Sequence, residues 1–305
     1  MLADNFPQTL QECISHFSSD EKLCIDFFAS MRWENGVAIC PNCKGKENTF
    51  LATRNVWKCR NCKKQFSVKV GTILEGSNIS LDKWICGIWL IVNAKNGISS
   101  YEIHRAIGIT QKSAWFMLHR IRAAMKTGSF EKLSGDVECD ETFIGGKAKN
   151  MHKSKREKKI QGRGSVGKTA VVGMLRRKGE VRAKVIESVD RETLHNEVKN
   201  NVECGSNLYT DEWRAYRGLD EDYIHEVINH AECYVKDHVH TNGIENFWSL
   251  LKRTISGTYV SVEPFHLGRY IDEQSFRFNE RKGKDKDRFL KAVSQISGKR
   301  LTYKR

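Results

Sequence analysis

The chain has 305 residues, of which 51 are Lys or Arg and 37 are Asp or Glu, so its formal net charge is +14. This length suffices for one large domain with smaller attachments, and the charge favours a polyanionic partner, with nucleic acid ahead of an acidic membrane surface. The N-terminus lacks the features of a signal peptide, and the longest apolar run, at residues 84–92, is too short to span a bilayer. We therefore expect no membrane association and a cytosolic location.

Residues 1–33 are predicted to form a helical segment. Ser18 stands three residues before Glu21, which is the spacing of a capping box, and apolar residues follow at Leu23, Ile25 and Phe27. We therefore expect a short helix that is capped by Ser18 and packs against the segment that follows it.

Residues 34–75 are predicted to form a zinc ribbon. The motifs CPNC and CRNC are separated by 15 residues. Each CxxC turn delivers two thiolates, so Cys40, Cys43, Cys59 and Cys62 can bind one structural Zn²⁺ in a tetrahedron. The other six cysteines stand singly, which favours free thiols in a reducing compartment. They are Cys13, Cys24, Cys86, Cys139, Cys204 and Cys233.

Residues 76–130 are predicted to form a helix-turn-helix DNA-binding domain. LDKWICGIWLIVNAKNG has the apolar spacing of a core helix, and two further helices join at Gly108, with Thr110 as the N-cap of the second. The second helix of such a motif enters the major groove, and an ordinary helical hairpin is the alternative. The candidate DNA contacts are Gln111, Lys112, Arg120 and Arg122, whereas His104 and His119 are expected to be surface or packing residues.

Strand periodicity begins at residue 136 and predicts an α/β sheet. DVECDETFIGG can form a strand with Asp140 at its centre, and the segment from Lys168 to Val189 reads as a hairpin that turns at Lys178-Gly179. RETLHNEVKNNV is helical, SNLYTDEW is a short strand ending near Asp211, and EVINH is another strand. Acidic residues at strand ends and on a later helix describe an RNase H-like layout.

A basic, Gly-rich segment, residues 145–168, separates the first strand from the hairpin. It carries nine Lys or Arg residues against the single acidic residue Glu157. This composition predicts a loop that grips phosphates near the site, with Lys147 and Lys168 as candidate DNA contacts. An unstructured, solubilising insertion is the alternative.

Three carboxylates from separate elements suit a phosphodiester site with two metal ions. Two Mg²⁺ ions roughly 3.5 to 4 Å apart stabilise both the attacking and the leaving oxygen of an in-line displacement. Asp140, Asp211 and Glu245 can supply the carboxylates, and Glu245 lies in the amphipathic stretch IENFWSLLKRTI. Lys252 follows seven residues later, so it shares one helix face with Glu245.

Five segments in one order resemble the DDE transposases, specifically the ISXO-like insertion-sequence group and its eukaryotic Merlin relatives. They are the paired CxxC motifs, GISSYEIHRAIGITQKSAWFMLHRIR, VECDETFIGGK, TDEWRAY and HTNGIENFWSLLKRTISGTY. The resemblance covers nearly the whole chain and implies an α/β RNase H-like catalytic domain, a mixed sheet with flanking helices, over residues 136–305. It implies that Asp140, Asp211 and Glu245 bind metal and that Lys252, with Arg253, contacts DNA.

The resemblance also implies a reaction and its partners. Two Mg²⁺ ions per active site, for which Mn²⁺ can substitute, would support hydrolysis at each end of an insertion element, and the resulting 3′-OH would attack target DNA without a covalent protein intermediate. The expected partners are the terminal inverted repeats and the target DNA. We expect a homo-oligomer on paired ends, beside the bacterial nucleoid or in a eukaryotic nucleus.

Several alternatives remain open at the level of single residues and of function. Asn242 and Asn246 are lesser candidates for the last metal ligand. Glu141 and Glu212 neighbour the candidate Asp residues, but adjacent strand residues point to opposite faces, so we expect neither to bind metal directly. His238 and His240 could orient a phosphate or water or be plain surface residues, and Tyr259 is expected to contact DNA or pack. A domesticated, non-catalytic DNA-binding regulator and a nuclease without joining activity are the alternative functions.

Overall fold

The computed structural model describes residues 6–18, 20–126, 131–146, 152–154, 166–211, 214–228 and 240–302. The chain divides into two compact units, which are residues 1–126 with 282–305 and residues 127–281. The sequence assigned residues 282–305 to the catalytic domain, whereas the structure groups them with the N-terminal unit. The proposed boundaries at residues 33, 75 and 130 stay predictions.

The helices and strands of the described residues are numbered in chain order. The α-helices are α1 (Leu10–Phe17), α2 (Glu21–Arg32), α3 (Leu81–Asn93), α4 (Ser100–Ile107), α5 (Gln111–Met125), α6 (Arg191–Asn201), α7 (Asn242–Thr254), α8 (Pro264–Asn279) and α9 (Asp285–Ser294). The β-strands are β1 (Asn48–Leu51), β2 (Val56–Cys59), β3 (Gln65–Phe66), β4 (Asp136–Ile144), β5 (Thr169–Arg176), β6 (Val181–Ile186), β7 (Asn207–Asp211) and β8 (Ile224–Ile228). None of the described helices is long and apolar enough to cross a membrane.

Phe289 of α9 explains why the C-terminal residues belong to the first unit. This side chain is fully buried, and its ring lies 5.8 Å from that of Phe27, 5.9 Å from that of Phe6 and 5.2 Å from that of Trp89. Aromatic rings at these distances attract one another in addition to burying apolar area. The last helix therefore completes the core formed by the N-terminal helices.

The first two helices meet at a cap that differs from the predicted one. The Asp20 carboxylate accepts the backbone N–H of Lys22 at 2.7 Å and so caps α2, which begins at Glu21. Ser18 instead ends α1, donating its backbone N–H to Ile14 at 2.9 Å. The prediction of a capping box at Ser18 was wrong, because a preceding helix already occupies this part of the chain and leaves the N-cap position to Asp20.

The helix pair α4 and α5 confirms the predicted turn. Gly108 ends α4 in the left-handed conformation with a φ of 61°, and the side chain of Thr110 accepts the backbone N–H of Ser113 at 3.2 Å to cap α5. Helix α5 also packs closely on α3, because a Cβ at Gly87 would lie 2.6 Å from the sulfur of Met117. The glycine in α3 therefore permits the close approach of α5.

The second unit is built on one mixed, five-stranded sheet in the order β6-β5-β4-β7-β8. Strand β4 is antiparallel to β5 and parallel to β7, β5 is antiparallel to β6, and β7 is parallel to β8. The hairpin between β5 and β6 turns at Lys178, whose φ is 60°. The predicted RNase H-like α/β class is confirmed, although β8 begins two residues before the predicted EVINH and residues 229–230 lie outside the described part of the chain.

Helices cover both faces of this sheet because strand side chains alternate. Val172 of β5 lies in the core with Leu194 and Val198 of α6, whereas the adjacent Val171 lies in the opposite core. That second core contains Ile244, Phe247, Trp248 and Leu251 of α7 together with Leu267, Ile271 and Phe278 of α8. The face of β4 that carries even-numbered residues is therefore turned towards α7.

Candidate active site

The candidate site lies where the two parallel strands at the centre of the sheet separate. Strands β4 and β7 pair from Asp136 opposite Asn207 to Glu138 opposite Tyr209, and the ladder ends there. Asp140 follows two residues later on β4, and Asp211 ends β7. In open α/β sheets the crevice at the carboxyl ends of parallel strands is the usual place for a ligand.

Three carboxylates converge at this point. One oxygen each of Asp140, Glu141 and Asp211 lie within 4.8 Å of one another, which is a spacing that could hold a metal ion. The structure brings together two of the predicted acids and adds Glu141. These three residues are called the acidic cluster below.

Glu141 belongs to the acidic cluster, although strand alternation places it as expected. Its side chain does leave β4 on the face opposite to Asp140, where its carboxylate accepts the hydroxyl of Tyr216 at 2.9 Å. Tyr216 is buried in the core on the α6 side of the sheet. The ladder to β7 has already ended at Glu138, and a carboxylate oxygen of Glu141 lies within 4.8 Å of one of Asp211.

Like charges and burial disturb the titration of the acidic cluster. Burial, followed by the charge of Asp211, raises the pKa of Asp140 to about 6. Burial likewise raises the pKa of Glu141 to about 7, against the opposing effect of the Tyr216 hydrogen bond. Carboxylates that repel one another in a partly dry site are stabilised by a cation, so this donor set fits a divalent metal.

Helix α7 is docked onto Asp140 by a tryptophan. The indole N–H of Trp248 donates to Asp140 Oδ2 at 2.9 Å. Gly173 lies directly opposite Asp140 on β5, and a Cβ there would come within 2.6 Å of the Trp248 ring. Trp248 stands three residues after Glu245, a spacing that places the two side chains near the same helix face.

Glu245 lies beside the acidic cluster without joining it. Its side chain is exposed, and Oε1 accepts the hydroxyl of Thr241 at 3.0 Å. Its charge also contributes to the raised pKa of Asp140, after burial and the charge of Asp211. Among the described residues, Glu245 is not part of the group within 4.8 Å, so its role as the third metal ligand stays a prediction.

The four ribbon cysteines form the second metal-type group. The sulfur of Cys40 lies 3.6 Å from that of Cys62, and the sulfur of Cys43 lies 3.5 Å from that of Cys59. Four sulfurs at ~2.3 Å from one Zn²⁺ would be about 3.8 Å apart, so these distances fit a tetrahedral site. All four lie within 4.8 Å of one another, and the predicted zinc ribbon is confirmed.

The two knuckles of the ribbon share one backbone geometry. Lys44 has a φ of 61° and donates its N–H to the carbonyl of Cys40 at 2.9 Å, while Lys63 has a φ of 62° and donates to Cys59 at 3.0 Å. Each turn thereby closes around its own pair of sulfurs.

The structure corrects two of the predicted DNA contacts on α5. Arg120 is only 7% exposed and donates from Nη1 to the carbonyl of Ile73 at 2.9 Å, and Arg122 is 1% exposed. A guanidinium held inside a core cannot reach a phosphate, so these two assignments were wrong. Lys112 is exposed and Gln111 is partly exposed, with its amide donating to Ser100 at 2.9 Å. Both stay candidates.

The histidines of the helix-turn-helix have structural contacts. His119 is fully buried, with its ring centre 4.1 Å from that of Trp115. The ring of His104 hydrogen bonds to the carbonyl of Ile109. Both therefore serve packing, as the sequence suggested.

The remaining candidates of the second unit are exposed, lie outside the described residues or are packed. Exposed ones are Lys168, Asn242, Asn246, Lys252 and Arg253. Lys147, Glu212 and His238 lie outside the described residues, as does most of the predicted basic loop. Tyr259 donates its hydroxyl to Glu273 at 2.5 Å and is packed on Tyr270, which agrees with a packing role.

Comparisons with known proteins identify the family. A family model of the ISXO2-like transposase domain matches residues 132–279, and one of a transposase zinc-ribbon domain matches residues 19–65. An uncharacterized transposase-like protein of Haemophilus influenzae is 32% identical over 117 residues, which cover 38% of this chain and 94% of that protein. The chain belongs to the ISXO2-like transposase family. An uncharacterized protein in transposable element ISH50 of Halobacterium salinarum is 26% identical over 249 residues, 77% of this chain and 83% of that protein.

The predicted metal-binding residues lie inside the two domains that the family models match. Asp140, Asp211 and Glu245 all lie inside the matched transposase domain, and the zinc-ribbon match contains all four cysteines. The resemblance predicted from the sequence is therefore confirmed. A transposase of the DDE type belongs to the polynucleotidyl transferases, and the pairing of this domain with a zinc ribbon points to DNA as the macromolecule that it binds.

Proposed function

We propose that this chain is a DNA transposase that cleaves the ends of its own insertion element and transfers the 3′-OH strands into target DNA. The convergence of Asp140 and Asp211 at the opening of the sheet, beside the helix that carries Glu245, is the observation that supports this most strongly. A regulator that only binds DNA has no use for repelling carboxylates in a partly buried site.

The carboxylate donors suit hard cations. Asp140 and Asp211, with Glu245, would hold two Mg²⁺ or Mn²⁺ ions, because these ions prefer oxygen ligands. When bound, such ions stabilise the attacking and leaving oxygens of an in-line displacement at phosphorus. Glu141 is an additional donor in the acidic cluster.

The protein side chains position the reactants for two consecutive displacements. In the first, the oxygen of water bonds to phosphorus and the bond from phosphorus to the 3′ oxygen breaks, which releases a 3′-OH. In the second, that hydroxyl attacks a phosphodiester of the target and expels another 3′ oxygen. Trp248 holds one oxygen of Asp140 through its indole N–H, which leaves the other oxygen available as a ligand.

The DNA partner is held outside the acidic cluster. Lys252 and Arg253 are exposed on α7, seven and eight residues beyond Glu245, and are placed to contact the phosphates of the cleaved strand. Lys112 and Gln111 at the start of α5 are candidates for reading the terminal inverted repeats, together with the zinc ribbon. Because two ends must be joined to one target, we propose that a homo-oligomer acts on paired ends.

The decisive experiment separates cleavage from binding. Asp140→Asn and Asp211→Asn are expected to abolish strand cleavage of a DNA carrying the element end, while a gel-shift assay shows that end binding persists. The matched control is Glu221→Gln, an exposed acid of the same unit, which should leave both activities unchanged.

The outcomes distinguish the alternative functions. Cleavage that survives both aspartate substitutions would contradict the proposed site. A wild-type chain that binds the ends without cutting them in Mg²⁺ or Mn²⁺ would indicate a domesticated regulator. Cutting without strand transfer would indicate a nuclease.

A further inference from the structure

Glu138 is a buried charge next to the acidic cluster. It lies two residues before Asp140 on the same face of β4, and it is only 1% exposed. Burying a carboxylate is costly unless its oxygens are paired and hydrogen bonded. The contacts of Glu138 therefore indicate what this buried carboxylate does.

Three groups from two other parts of the second unit surround the Glu138 carboxylate. Arg177, in the hairpin after β5, donates from Nε to Oε1 at 3.0 Å. The backbone N–H of Ile244 in α7 donates to Oε2 at 2.9 Å, and His240 Nδ1 lies 3.3 Å from Oε1. Arg177 also donates from Nη2 to the backbone carbonyl of His240 at 2.7 Å. These contacts hold the segment that precedes α7, and the first turn of α7, against both β4 and the hairpin.

Glu138 takes the place of an N-cap for the helix that carries Glu245. The first N–H groups of a helix have no partner inside it, and a negative charge at this end is stabilised by the helix dipole. Thr241 occupies the N-cap position of α7 but forms no capping hydrogen bond with its side chain. Its hydroxyl is bonded to Glu245 instead, so the carboxylate of Glu138 satisfies the N–H at the third helical position.

Gly243 permits this close approach. A Cβ at this position would lie 2.7 Å from Oε2 of Glu138 and 2.6 Å from Cδ2 of Leu175. Any larger residue would push the first turn of α7 away from β4.

Two side chains on one face of β4 therefore hold α7 at two points. Glu138 binds the backbone of Ile244, Asp140 binds the indole of Trp248, and Glu245 lies between these two attachments. We propose that Glu138 is a positioning residue that sets the location of Glu245 relative to the acidic cluster, an inference that rests on the proposed function. Loss of this anchor lets the first turn of α7 move, so that Glu245 is no longer held beside the acidic cluster, where it would complete the metal site.

A double-mutant cycle on metal binding tests the proposal. The Kd for Mn²⁺ is measured by electron paramagnetic resonance on the full chain for wild type, Glu138→Gln, Glu245→Ala and the double variant. Glu138→Gln is expected to weaken binding roughly 10- to 100-fold, as is typical for residues that orient a metal ligand. Since Glu138 acts through Glu245, the double variant should bind no more weakly than Glu245→Ala.

A second measurement tests the hydrogen bond between Glu138 and the backbone N–H of Ile244 in the absence of metal. Amide hydrogen exchange at Ile244 is expected to become faster in Glu138→Gln, because the substituted amide loses the charge that pairs with Arg177 and favours the helix N-terminus. The matched control is Glu180→Gln, which removes a carboxylate paired with Arg182 at 2.6 Å in the same unit. It should change neither the exchange at Ile244 nor the Kd for Mn²⁺.

The results separate this inference from the function on which it rests. Additive losses in the double variant, or unchanged protection of Ile244 in Glu138→Gln, would overturn the role assigned to Glu138. If instead Asp140→Asn left Mn²⁺ binding unchanged, the proposed metal site itself would be overturned, whatever Glu138 does.

Discussion

Asp140 shows how single residues set the properties of the site. It is the central residue of β4, its pKa is raised to about 6 by burial and by Asp211, and it receives the indole N–H of Trp248. One side chain thus links the sheet, the acidic cluster and α7.

Trp248→Phe tests this link while preserving an aromatic ring in the core. A hydrogen bond to a charged group contributes about 1.5–3 kcal/mol, so we expect the cleavage rate to fall roughly 10- to 100-fold. The affinity for end DNA should be unchanged, and both are measured under saturating Mg²⁺. Trp84→Phe is the control, since Trp84 also donates its indole N–H, to Ser77 at 3.3 Å, but in the other unit. Equal effects of the two substitutions would contradict the assigned role.

His225 gives the second unit a predictable pH dependence. Burial lowers the pKa of His225, with a further lowering from His195 and an opposing effect of Asp220, and Nε2 lies 2.8 Å from Oγ1 of Thr210. A histidine with a lowered pKa is neutral in the fold, so its contribution is present above the unfolded pKa of about 6.5 and is lost as the pH falls below it. The free energy of unfolding, measured in urea, should therefore decrease below this pH less steeply in His225→Asn than in wild type. Identical slopes would contradict this.

At the scale of elements, the close contact between β5 and α7 orients the site. Gly173 lies opposite Asp140 and leaves the space that the Trp248 ring fills. The sheet order places β4 between β5 and β7, so both neighbours of the central strand shape the opening.

Gly173→Ala is expected to disturb this contact. The new Cβ would lie 2.6 Å from the Trp248 ring and 3.0 Å from Cδ1 of Ile244. Overpacking of this kind costs about 1–3 kcal/mol, and the displaced helix should also lower the cleavage rate. Gly268→Ala in α8 is the matched control, because nothing lies within 4 Å of its Cβ, and a helical Gly→Ala change should stabilise by about 0.5–1 kcal/mol. Thermal unfolding measures both, and a Gly173→Ala chain as stable and active as wild type would count against the contact.

Regular elements were predictable because their periodicity is local. The strand around Asp140, the hairpin at Lys178, and the helices after Thr110 and around Glu245 all follow from alternation, turn residues and caps. The predicted DNA contacts at Arg120 and Arg122 failed because they depend on packing. The sequence of α5 shows Arg120 and Arg122 only as basic residues, and nothing local reveals that the carbonyl of Ile73 holds one of them in a core.

The candidate site was predictable only in part for the same reason. Asp140 and Asp211 could be paired from the order of strands and acids. Glu141 was missed because its approach to Asp211 depends on where the ladder between β4 and β7 ends, which is a property of the assembled sheet.

At the scale of the whole molecule, the zinc ribbon and the acidic cluster belong to different compact units. Each unit has its own core, and the C-terminal helix α9 completes the first one through Phe289. A substitution in the zinc ribbon should therefore weaken DNA binding without affecting metal binding at the acidic cluster.

Cys43→Ser tests this separation. Loss of one thiolate should release Zn²⁺ and unfold the ribbon, because so short a segment buries too little apolar surface without its metal. We expect weaker binding of end DNA in a gel-shift assay, with Mn²⁺ binding at the acidic cluster retained. Cys204→Ser is the control, because Cys204 is equally an exposed cysteine but lies outside the ribbon. Unchanged zinc content in Cys43→Ser would contradict the assignment.

The acidic cluster and Glu245 are proposed to hold divalent cations together for cleavage of DNA. Anomalous diffraction from crystals of the chain grown with Mn²⁺ and end DNA would locate these cations. We expect manganese peaks within bonding distance of Asp140, Asp211 and Glu245, next to a phosphate. Well-ordered crystals with no manganese at these carboxylates, or with manganese bound while Glu245 remains bonded to Thr241, would contradict this proposal.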